Sequence, residues 1–128
     1  MVQAPVAAQD VPLATASLDT PDERREFDRG RLDVVRLAGR ALGRFTLEPG
    51  WRWSESVAPL VGSELCQASH FGYVVSGRMG VRMADGTEGV AGPGEAYRIA
   101  PGHDAWVVGE EPAVVLDVEG ASGYAAGS

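Results

Sequence analysis

A chain of 128 residues, 45% of them hydrophobic, has room for one core and one domain. Its net charge of −7 argues against a nucleic-acid surface, and because all eleven cations are Arg, lysine Schiff-base catalysis is excluded. A single cysteine excludes an internal disulfide, no apolar run approaches the roughly 20 residues of a membrane span, and Met1–Asp10 has neither the basic cluster nor the apolar stretch of a signal peptide.

Residues 1–20, rich in Ala and Pro without periodicity, read as a flexible arm or as a segment that orders on a partner chain. Thr20-Pro-Asp-Glu-Arg-Arg-Glu predicts one helical turn, with Thr20 as cap and Pro21 in the first turn. Strands are then predicted at short intervals: Arg31–Leu37, Ala41–Glu48, His70–Ser76, Gly80–Met83, Thr87–Val90, Glu95–Ile99, Ala105–Val108 and Ala113–Val118. Asp85-Gly86 marks a hairpin between the fourth and fifth of these. Seventeen glycines, eight prolines and no helical stretch in the middle of the chain predict an all-β sandwich or barrel spanning residues 21–120. Residues 121–128 are expected to be a flexible tail of small residues.

The residues able to carry chemistry fall in two places. Cys66 and His70 are four apart, so on an extended strand both face one side. His103 follows a Pro101-Gly102 turn. Thiol and imidazole together suit a first-row metal. Each residue also has a plainer reading: Cys66 as a small core hydrophobe, His70 as a hydrogen-bonded core residue, His103 as a turn residue held through Asp104. Trp51, Trp53 and Trp106 either stack on a flat ligand or fill the core. Arg52, Arg78 and Arg82 alternate with apolar residues, and such a guanidinium is either solvated or forks a substrate carboxylate.

Cys66-Gln-Ala-Ser-His70-Phe-Gly-Tyr-Val-Val-Ser-Gly77 resembles the first motif of the cupin superfamily, G(X)5HXH(X)3,4E(X)6G. Counting back from Gly77, His70 falls on the motif's Glu, Cys66 on its second His and Glu64 on its first. Counting forward from Gly50 puts Ser56 and Ala58 on the His positions, so the segment from Pro59 to Ser63 reads as an insertion. In the second motif, G(X)5PXG(X)2H(X)3N, Gly94 and Gly102 match. Ala100 replaces the Pro, Ala105 falls on the His, Gly109 falls on the Asn, and His103 lies two positions early on the same strand face. The wording around Glu48–Glu55 and Pro101–Pro112 is similar to small stand-alone actinobacterial cupins.

The resemblance implies a single-domain jelly-roll β-barrel that handles a small organic molecule. It implies Glu64, Cys66, His70 and His103 as ligands of a divalent metal, zinc or iron. Cys66, His70 and His103 become catalytic candidates, and Trp51, Trp53, Tyr73, Arg78 and Trp106 the ligand-binding ones. An isomerase, lyase or dioxygenase is expected, with a catalytically silent ligand sensor as the alternative. A cytoplasmic homodimer using N-terminal residues, with no nucleic-acid or membrane partner, completes the expectation.

Overall fold

The structure, a computed structural model, describes residues 12–119. Residues 1–11 and the expected tail at 121–128 lie outside the described residues.

Nine strands and two short helices follow one another: β1 (Glu23–Phe27), β2 (Gly30–Leu37), β3 (Arg40–Leu47), α1 (Trp53–Ser56), α2 (Ala58–Val61), β4 (His70–Ser76), β5 (Met79–Met83), β6 (Glu88–Ala91), β7 (Ala96–Ile99), β8 (His103–Val107) and β9 (Ala113–Glu119). They form a six-stranded sheet in the order β1-β2-β3-β9-β4-β7 and a three-stranded sheet in the order β6-β5-β8. Every pairing is antiparallel. The expected barrel strands appear with boundaries shifted by one or two residues.

Alternation fixes which face looks inward. Along β4 buried and exposed residues alternate, with His70, Gly72 and Val74 inside and Phe71, Tyr73 and Val75 outside. Along β8 His103, Ala105 and Val107 are buried and Asp104 and Trp106 are not. On β9 Ala113, Val115 and Asp117 face inward. These inward faces, with Leu32, Val34, Phe45 and Leu47, make one core between the two sheets. Removing one such Leu side chain typically costs about 2–5 kcal/mol.

The structure corrects the sequence reading in two places. The helical turn expected at Thr20 is absent. Glu23–Phe27 is instead the edge strand β1, paired residue for residue with β2 through the two-residue turn Asp28-Arg29. Asp22 donates its N–H to Val34 O at 2.9 Å, so cross-strand pairing overrides the local cap chemistry. The stretch expected to be free of helix carries α1 and α2. Helix α2 runs into the inserted segment that the motif count exposed at Pro59 to Ser63, and α1 precedes it. Pro59 supplies the first turn of α2 and Gly62, at φ 73°, ends it in the left-handed conformation.

Asp104 fastens α1 to the barrel. Its carboxylate accepts Ser54 N–H and Ser54 Oγ–H, each at 2.9 Å, and pairs with Arg52 at 2.9 Å. It thus serves the start of α1 from across the fold, where Arg52 at the cap position offers no side-chain acceptor.

Candidate functional site

Cys66 reaches the barrel through a single-residue bridge to the first residue of β8. Its N–H donates to His103 O at 2.7 Å, and Gly102 N–H donates to Cys66 O at 2.7 Å. Residues 67–69 are not strand, and this matters. Four residues of extended chain would separate Cys66 from His70 by about 13 Å. The looped chain instead brings Cys66 Sγ to 3.6 Å from His70 Nε2. The two side chains meet through a bend and not through the strand parity expected from the sequence.

The imidazoles of His70 and His103 meet edge to face with centroids 5.3 Å apart. Each is anchored through Nδ1. His70 Nδ1 donates to Asp117 Oδ2 at 3.0 Å, and His103 Nδ1 donates to the carbonyl of Ala100 at 2.7 Å. A backbone carbonyl only accepts, so His103 Nδ1 carries a proton and Nε2 is the nitrogen available to a ligand. Cys66, His70 and His103 are all buried, and the ligand atoms they offer lie within 4.8 Å of one another.

This donor set fits a four-coordinate ion. Metal–sulfur and metal–nitrogen bonds of about 2.3 and 2.05 Å at a tetrahedral angle put sulfur and nitrogen about 3.6 Å apart. That is the separation of Cys66 Sγ and His70 Nε2. A histidine ligand that donates its other N–H to a carboxylate is the arrangement that fixes tautomer and ring orientation at metal centres, and Asp117 supplies it.

Tyr97 extends the chain of hydrogen bonds, donating its hydroxyl to Asp117 Oδ2 at 3.0 Å. Burial first, and the Asp117 charge second, push this phenol well above its ordinary value, so it stays a donor. Gly72 permits the approach: a Cβ there would collide with the Tyr97 hydroxyl and with Leu116 O.

Without a metal, the pair is electrostatically coupled. Burial alone would raise the Cys66 thiol, but the His103 and His70 side chains outweigh it and bring it down to about 6. Burial alone would lower His70, but Asp117, then Cys66, outweigh it and raise it to about 9. The metal-free site is thus a thiolate beside an imidazolium.

His70, His103 and Asp117 line an inner chamber of about 30 Å³ together with Trp51, Trp53 and apolar residues of the strands. That volume admits one or two water-sized groups. Cys66 is not among the lining residues.

The other expected site residues divide. Trp51 and Trp53 are buried in the chamber wall, and the Trp51 Nε1–H has no acceptor among the described residues. Trp106 is on the outer face of β8, where it covers Gly80 and carries the Arg52 guanidinium 4.6 Å from its ring centroid. Tyr73 is 46% exposed because it lies an odd number of residues from His70 on β4. Arg78 is exposed in the turn between β4 and β5. Glu64 is exposed in a bend and offers no atom to the ligand group. Asp117 and Tyr97 were not anticipated. The signal for Asp117 was its parity: in Ala113–Glu119 it falls on the same face as Ala113 and Val115, and a carboxylate on an otherwise apolar face calls for a buried partner.

No protein-family model matches the sequence, and no curated protein matches it. Solved structures match the fold. A sugar phosphate isomerase from the cupin superfamily of Silicibacter pomeroyi aligns at TM-score 0.59 and 21% identity, covering 84% of this chain and 75% of that one. A protein of unknown function from Acidithiobacillus ferrooxidans aligns at TM-score 0.56 and 22% identity, covering 90% and 97%. A mutant of Bacillus subtilis oxalate decarboxylase aligns at TM-score 0.59 and 16% identity, covering 89% of this chain but 32% of that longer one. At these identities the likeness is one of fold: the chain has the cupin jelly roll. Among the described residues, no helix is long and apolar enough to cross a membrane.

Proposed function

We propose that this chain is a metal-dependent cupin enzyme acting on a small organic molecule, with a divalent ion held by Cys66, His70 and His103. The observation that carries this reading is the anchoring of both imidazoles through Nδ1 beside a buried thiol, with the ligand atoms of the three residues within 4.8 Å of one another and His70 Nε2 3.6 Å from the sulfur. Soft sulfur with imidazole suits zinc or iron over magnesium or calcium. Three protein donors and one position facing a chamber is the ligand count of catalytic sites; structural zinc takes four protein donors.

A bound ion of this kind supplies Lewis-acid polarisation of a substrate oxygen and acidifies a bound water. The protein's own part follows from the contacts. Asp117 holds the His70 ring in place and raises the basicity of its free nitrogen. Tyr97 holds Asp117. Trp51, Trp53, Phe45 and Leu47 keep the chamber dry, which strengthens every charge interaction within it.

A metal-free relay is the second reading, favoured by the continuous line from Asp117 through His70 to Cys66. It is disfavoured because a nucleophilic sulfur needs access to substrate and Cys66 does not line the chamber.

Elemental analysis of protein purified without added metal separates the two. The metal reading expects close to one zinc or iron per chain, lost in His70→Ala together with a lower melting temperature. Metal-free wild type, or unchanged metal content and melting temperature in His70→Ala, sinks it.

A further inference from the structure

Strands β6 and β7 are outermost strands of different sheets. Between them runs a groove of about 370 Å³, more than ten times the inner chamber. Met79, Tyr97 and Ile99 line both spaces, so these three side chains form the wall between groove and chamber. The groove's apolar lining includes Val81 and Met83 of β5, with Val90 of β6, 57% exposed, at its edge. An exposed apolar trough leading to a buried polar cluster is the form of a small-molecule site.

Three charged residues border it. Glu88 is engaged by Arg82 at 3.2 Å, and Glu95 accepts Gly92 N–H at 2.7 Å. Among the described residues the Arg98 side chain has neither an ion-pair nor a hydrogen-bond partner, and it is exposed at the rim. The unengaged charge of the groove is therefore positive. Inside, no positive charge is left over: a divalent ion held with the Cys66 thiolate and the Asp117 carboxylate would be neutral. A ligand carboxylate entering there would add an uncompensated buried charge.

We propose that the groove between β6 and β7 is the substrate channel of the inner site, and that it takes a small carboxylic acid with an apolar body. The carboxylate pairs with Arg98 at the rim, the body lies on Val81, Met83 and Val90, and the uncharged end reaches past Met79 into the chamber. This rests on the metal reading above for the chemistry and the charge count at the inner end, and on the groove alone for the channel.

The chain has three methionines, two of which, Met79 and Met83, line the groove, so methyl-labelled methionine reports on it directly by NMR. Zinc-loaded protein is titrated with hexanoate and with its neutral amide, and zinc content is measured on the same samples. Hexanoate should shift the Met79 and Met83 methyls saturably and bind about three- to tenfold more tightly than the amide. Arg98→Gln should abolish that preference, and Val90→Trp should suppress the shifts with zinc content unchanged. Silent methyls in zinc-containing protein overturn the channel. Equal responses to acid and amide, unaffected by Arg98→Gln, overturn the carboxylate assignment. Shifts in protein that binds no zinc keep the channel and overturn the metal reading, so the two failures are distinct.

Discussion

His70 Nδ1 lies 3.0 Å from Asp117 Oδ2, joining residues 47 apart in sequence across the β4–β9 pairing. Both side chains are almost wholly buried, and Asp117 also accepts from Tyr97. An ionisable pair in that position positions the imidazole; its rotamer and tautomer are fixed before any ligand arrives. Asp117→Asn keeps the volume and an acceptor but removes the charge. Metal affinity should fall about 10–100-fold, read by chelator competition, with the metal still bound at saturation. Affinity unchanged by the substitution would leave Asp117 as a packing residue only.

The barrel was legible in the sequence because its strands alternate and its glycines mark the turns. Where the sequence misled, a non-local contact had decided. The capping residues before Glu23 are real, but pairing with β2 captured that segment. Helices α1 and α2 are four residues each, too short to leave a period. The parity that places His103 with Ala105 held along β8, whereas the same rule does not describe Cys66 and His70, because residues 67–69 between them are not strand; Glu64, placed by the motif count, is exposed in a bend. Tyr73 was excluded by its own spacing from His70. Asp117 and Tyr97 come from strands far along the chain, and only the sheet order brings them beside His70.

Asp33 is fully buried on β2 beneath three guanidiniums, those of Arg24 at 2.6 Å, Arg44 at 3.2 Å and Arg31 at 3.3 Å. Burial would raise its carboxyl, but the hydrogen bonds from Arg24, Arg44 and Arg31 outweigh this and hold it below its ordinary value. A depressed carboxylate contributes stability that is present above its unfolded value and is lost as pH falls through the folded one. Asp33→Asn should therefore destabilise the protein by roughly 1–3 kcal/mol at neutral pH, the arginines being partly hydrated already. The loss should shrink in acid. Urea midpoints for the two proteins that stay equally far apart at low pH would contradict this account.

The outer faces of β4 and β9 present Phe71, Tyr73, Val75 and Val118, each about half exposed, on adjacent strands. This is the apolar surface that a second copy would cover in the expected homodimer. Light scattering at micromolar concentration should return twice the 13.4 kDa chain mass. Phe71→Glu with Val118→Glu should return the single mass while metal content is unchanged. A wild type that scatters as one chain would remove the dimer.

The coupled site makes a prediction for metal-stripped protein. Cys66, lowered from 9.0 to about 6, contributes stability present above pH 9 and lost as pH falls through about 6. His70, raised from 6.5 to about 9, contributes stability that is full below pH 6.5 and lost as pH rises through about 9. Between about 6.5 and 9 the two slopes oppose each other. Folded thiolate–imidazolium and unfolded thiol–imidazole each hold one proton, so folding moves that proton from sulfur to nitrogen without net uptake or release. Stability should be flat across this window even though ultraviolet absorbance shows a thiolate appearing near pH 6. Cys66→Ser removes one slope and leaves the other, because Asp117 still favours the charged imidazole. The serine variant should then lose stability as pH rises above 6.5 while the wild type does not. Parallel stability profiles for the two stripped proteins would show that the thiol and the imidazole do not share a proton.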